Sequence, residues 1–162
     1  MERLSTPLHV DRFREECELV TNWDRYQALA REARSWLPED LWFLLWAVLL
    51  GFKDEQSDRI AGFLLLELDP EPRESLESIL SRLSQSHWYL SNREVPFYLV
   101  ARFGKGAVLA SIRSLLSGDS SITHDGRVML EGVQYWARYP TAELANRLHY
   151  FEWQEAIEGS DG

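Results

Sequence analysis

FYLVARFGKGAVLASIRSLLSGDSSITHDGRVMLEGVQYW, residues 97–136, is the stretch on which the fold turns. Its apolar residues recur at helical spacing as far as Phe103, resume from Ala107 to Leu116, and resume again beyond the polar run Ser117 to Asp125. Gly104 sits where a helix would end, so one helix passes directly into the next. The pattern is helix, tight stop, helix, polar turn, helix.

The same step recurs on either side, every 33 to 36 residues. Upstream, a helix is expected from Glu55 to Leu68. The turn Asp69-Pro70-Glu71-Pro72 follows, then a partner from Arg73 to Leu83 with Leu76, Ile79, Leu80 and Leu83 on one stripe. The quoted stretch supplies a second pair, Arg93 to Phe103 and Lys105 to Leu116. A third runs from Asp125 to Tyr139 and from Thr141 to Ile157, with Pro140 between. Before the repeats, helices are expected over Asp11 to Val20 and over Trp23 to Trp36, the latter capped by Asn22. Pro38, Glu39 and Asp40 open a further helix, apolar nearly all round through Trp42 and Trp46, which Gly51 closes; such a helix belongs inside an array. Strand-like alternation is absent.

This order of features resembles the HEAT-type α-solenoid. The matching parts are a first helix ending in a small residue and glycine (Ala101 to Gly104), a second helix AVLASIRSLL (Ala107 to Leu116), a polar turn, and a new first helix with an arginine near its start (Arg127). The order can also be laid over residues 58–103, whereas residues 1–52 do not match. The resemblance implies an all-α fold with antiparallel helix pairs stacked as a short right-handed solenoid of about eight to nine helices. Residues 1–162 would form one domain: capping helices over 1–52, three pairs over 53–157 and a flexible tail over 158–162. A compact irregular helical bundle is the alternative. Proteins of the HEAT type usually act as scaffolds, adaptors or inhibitors, so the resemblance implies a binding protein and carries no catalytic residue with it.

Length and composition agree with one domain that buries a sizeable core. Cys17 is the only cysteine, which rules out an internal disulfide and a cysteine zinc cluster, and its neighbours Glu15, Glu16 and Glu18 disfavour a thiolate. Charged and polar residues at Arg3, His9, Asp11 and Arg12 interrupt any signal-like apolar start, which suggests the cytoplasm. Leu41 to Phe52 is the longest apolar run, at 12 residues, where a bilayer span needs about 20, so no membrane association is expected.

Motifs for chemistry are weak. His124-Asp125 is similar to the central pair of an HD-type metal phosphohydrolase, and His87 could supply an upstream ligand. No aspartate follows until Asp161, however, so Asp125 reads as a helix cap. Gly104-Lys105-Gly106 lacks the full phosphate-loop pattern, and His9, His87 and His149 show no metal-binding spacing. Neither a cofactor, a metal nor an enzymatic activity is expected.

The net charge of -9 argues against nucleic acid as the main partner, although Arg82, Arg93, Arg102, Lys105, Arg113, Arg127 and Arg138 form a mildly basic middle. Residues 39–78 carry 10 acids against 3 bases. Asp54, Glu55, Asp58, Glu67, Asp69, Glu71, Glu74 and Glu77 would therefore make an acidic surface that attracts a basic protein, with Trp88 and Tyr89 in the following connector as aromatic contacts. An inhibitor or immunity-type protein covering a basic toxin or nuclease is the sharpest form of this expectation, and a general adaptor or assembly scaffold is its alternative.

Overall fold

The computed structural model describes residues 7–88, 92–118 and 121–138. These residues form eight helices: α1 Pro7–Glu18, α2 Trp23–Arg34, α3 Pro38–Leu50, α4 Glu55–Leu68, α5 Leu76–Ser84, α6 Glu94–Phe103, α7 Lys105–Gly118 and α8 His124–Ala137. The chain is thus all-α. Among the described residues the one β feature is an isolated parallel bridge between Gly51 and His87.

Local chemistry sets most helix starts. Asn22 Oδ1 accepts the Arg25 N–H at 2.9 Å, Asp54 accepts the Ser57 N–H at 2.7 Å and Ser75 accepts the Ser78 N–H at 3.1 Å. Thr123, not Asp125, caps α8 by accepting the Gly126 N–H at 3.0 Å, and Asp125 lies in the first turn. α1 begins earlier than Asp11, while α5 begins at Leu76 rather than Arg73 because Ser75 is its cap. The helix expected from Thr141 to Ile157 lies outside the described residues, as does the tail.

α4 is the hub. It packs against α1, α2, α3 and α6; α6 in turn packs against α8, which gives a row α4, α6, α8, and α5 and α7 pack on each other and on α8. Tyr26, Trp46, Phe63 and Tyr98 are fully buried at the centre, with Tyr26 edge-on to Phe63 and Trp46 edge-on to Tyr98. Trp42 and Trp46 are core residues, as their spacing predicts.

Two of the expected pairings differ from the structure. α4 and α5 do not lie against one another as a hairpin, because the turn between them is drawn toward α6. Asp69 ends α4 in the left-handed region at φ 46°, Arg102 Nε donates to its carboxylate at 2.8 Å, and the Tyr98 hydroxyl donates to Pro70 O at 2.6 Å. α6 and α7 turn through 111° at Gly104, well short of an antiparallel reversal.

Candidate functional site

The structure divides the eight candidate acids. Asp58 is 1% exposed and belongs to a buried polar cluster rather than to a surface. Asn92 Nδ2 donates to Asp58 Oδ2 at 3.0 Å and to Asp58 O at 3.1 Å, and Glu94, also buried, stands close enough to act on it electrostatically. Burial, with Glu94 and Asp54 adding to it against the Asn92 hydrogen bond, pushes the Asp58 carboxyl up to about 7. Asp69 is paired with Arg102. Glu74 accepts from the Trp42 indole N–H at 3.1 Å, from Ser78 and from Arg82; these bonds outweigh partial burial and hold its carboxyl below the usual range. Glu67 is half-buried. Glu55, Glu71 and Glu77 stay exposed, without an ion pair among the described residues.

Of the two expected aromatic contacts, Trp88 is turned inward. Trp88 is 3% exposed, because the bridge between Gly51 and His87 draws the connector onto the molecule and the ring enters the core. Tyr89 lies outside the described residues. In the basic middle, Arg82 and Arg102 pair with acids, Lys105 Nζ donates to Arg138 O at 2.8 Å and Arg127 donates to Leu116 O at 3.2 Å. Much of that charge is tied to the protein itself.

A different acidic surface emerges where α1 ends against the start of α4. Asp54 receives the Ser57 N–H and hydroxyl, each at 2.7 Å, and shares a hydrogen bond with Glu18 across the helix junction. That bond, followed by slight desolvation and the charges of Asp54 and Glu15, raises the Glu18 carboxyl. Partial burial acts in the same direction on Asp54, but the Ser57 and Glu18 hydrogen bonds and the Arg14 charge outweigh it and hold Asp54 low. Glu15 and Glu16 are exposed beside the pair. Leu19 is 55% exposed, and a shallow cleft of about 150 Å³ opens next to it, with Glu16 and Glu32 on its walls. Arg25, on the same cleft, is held by the carbonyl of Leu19 at 2.8 Å. Arg14 lies nearby with its guanidinium on Asp11.

Of this corner, sequence reasoning singled out Asp54 and Glu55 but used Glu15, Glu16 and Glu18 only to judge Cys17. The clustering of acids along α1 is visible in the chain; the meeting of Glu18 with Asp54 requires the packing of α1 on α4. Cys17 itself is buried, and desolvation first, then Asp54 and Glu16, raises its thiol well above the ordinary value. Among the described residues, no group of three or more His, Cys, Asp or Glu side chains is placed to hold a metal ion. His124 is exposed at the start of α8 and His87 at the bridge.

No single described helix is long and apolar enough to cross a membrane; α6 and α7 pass only when taken together across their 111° bend. No protein-family model, curated protein or solved structure matches this chain.

Proposed function

We propose that this chain is a protein-binding module whose α1–α4 corner takes a basic surface of another protein. The observation that carries the reading is the clustering of the exposed Glu15, Glu16 and Glu18 at the end of α1, which packs on α4 where Asp54 begins it, next to the exposed Leu19. Carboxyls gathered in this way repel one another, and an arriving lysine or arginine relieves that repulsion by pairing with them. Leu19 supplies an apolar anchor inside an acidic rim, the arrangement of an interface hot spot.

The row α4, α6, α8 supports a helical-repeat architecture of the kind that presents such surfaces. Inhibition of a basic toxin or nuclease is the sharper form of this function, and a scaffold is the broader one. The test compares the wild-type chain with Glu15→Lys/Glu18→Lys and with Leu19→Ser as bait for basic proteins at low and moderate salt. Retention of one basic protein at equal stoichiometry, weakened about tenfold or more by the charge reversal with helicity unchanged, supports the corner. Equal retention by wild type and charge reversal overturns it. Loss of the partner's own activity in the complex separates inhibitor from scaffold.

A further inference from the structure

α4 is about 21 Å long, and its far end carries a second surface of opposite character. There α2, α3 and the α4–α5 turn enclose a groove of about 440 Å³. Trp36, Leu41 and Leu68 give it an apolar lining, Pro38 and Pro70 add to the walls, and Arg34, Arg73 and Glu71 are exposed beside it. Neither arginine makes an ion pair or hydrogen bond among the described residues, in a chain whose net charge is -9.

Two further features mark the groove as built. Its turn wall is pinned from behind, by Arg102 on the carboxylate and carbonyl of Asp69 and by the Tyr98 hydroxyl on Pro70 O, and two prolines stiffen it. A wall already ordered costs little conformational entropy when something docks. Finally, the lining is apolar while the rim sets two unpaired cations, Arg34 and Arg73, against one carboxylate, Glu71, so an occupant needs an apolar side chain for the floor and carboxylates for Arg34 and Arg73.

We infer that this groove binds an acidic segment of a partner protein, an apolar side chain entering between Trp36, Leu41 and Leu68 while flanking carboxylates pair with Arg34 and Arg73. The chain then holds a basic surface at one end of α4 and an acidic segment at the other. The inference uses a different surface from the α1–α4 corner and stands separately from it.

The test is fluorescence anisotropy of the full chain with three fluorescein-labelled ten-residue peptides, alternating leucine with glutamate, leucine with lysine and serine with glutamate. The leucine–glutamate peptide is expected to bind saturably, about tenfold or more weakly to Arg34→Glu/Arg73→Glu, and unchanged to Glu15→Lys/Glu18→Lys. The serine–glutamate peptide is expected not to bind, whereas leucine–lysine binding belongs to the acidic corner and is expected to weaken in Glu15→Lys/Glu18→Lys and to be indifferent to the arginine reversal. Should the double reversal lose helicity, Arg34→Gln/Arg73→Gln provides the same comparison. Four outcomes overturn the proposal: no saturable signal of the leucine–glutamate peptide at about 1 mM protein, equal binding of the lysine and glutamate peptides to the Glu15→Lys/Glu18→Lys chain, indifference of the leucine–glutamate peptide to both arginine variants, or a wild-type dimer in sedimentation that the arginine variants dissolve, which would put a second copy in the groove.

Discussion

α4 and α7 are both 14 residues long, yet α4 buries Ser57, Asp58, Ile60, Ala61, Gly62, Phe63, Leu64 and Leu65 while α7 buries only Val108 and Ile112. Leucine content does not explain the difference, since α7 carries Leu109, Leu115 and Leu116 at half-buried positions. Placement does: among the described residues α4 packs against α1, α2, α3 and α6, whereas α7 meets α5, α6 and α8. Centrality has a consequence for polar groups. Ser57 and Asp58 are carried inside with the apolar face and must find partners there, which Asp54 and Asn92 provide. It has a consequence for function too, because a central helix reaches solvent at its ends, and those ends hold the acidic corner and the groove.

The largest expected effect is on side-chain truncation. Leu64→Ala in α4 should cost about 4 kcal/mol and Leu109→Ala in α7 about 1 kcal/mol, measured by urea unfolding; equal costs would break the contrast between hub and edge.

pH separates the helices next, because α7 has no carboxyl and α4 has Asp58. With its carboxyl raised from 3.8 to about 7, folded Asp58 keeps a proton that the unfolded chain releases. Its contribution is therefore complete below about pH 4 and lost as pH rises through 7, up to about 4 kcal/mol. A proton on Asp58 also turns one of two unpartnered buried acceptors, its Oδ1 and Asn92 Oδ1, into a donor. Asp58→Asn should flatten thermal stability between pH 5 and 8 and raise it at pH 8. Glu74 and Asp54, held low, act in the opposite sense below about pH 4.5, so a slope unchanged in Asp58→Asn would assign the effect elsewhere.

The smallest test is a matched pair of glycines. A Cβ on Gly62 would stand 2.7 Å from Asn92 Oδ1 and 2.8 Å from its Nδ2, so Gly62→Ala should cost about 1–3 kcal/mol. Gly106 in α7 has nothing within 4 Å, so Gly106→Ala should stabilise by about 0.5–1 kcal/mol. The same substitution in two helices of one length then has opposite signs, read as shifts of Tm.

Much of the helix map was legible along the chain. Asn22, Pro38 and Gly104 act within a turn of where they stand, and α4 runs over Glu55–Leu68 as its periodicity predicts. α5 was misjudged by a few residues because Arg73 and Glu74 look helical while Ser75 caps. The site was far less legible. Asp54, Asp58, Asp69 and Glu74 look alike as acids in a run, but one caps a helix and meets Glu18, one is buried against Asn92, one pairs with Arg102, and one binds Trp42 and Arg82.

What the sequence determined by itself is therefore the all-α class, most helix positions and the apolar stripes, since caps, stops and 3.6-residue periodicity depend on groups within a few residues of each other. Only the tertiary structure decided that α4 and α5 separate, that Trp88 turns inward, and that Glu18 joins Asp54 while Arg34 and Arg73 flank one groove. Those outcomes depend on which helix packs on which. The contacts that decide them, such as Asp69 with Arg102 and Gly51 with His87, span 33 or more residues of chain and follow from the competition to exclude water from one shared core, which no local pattern records.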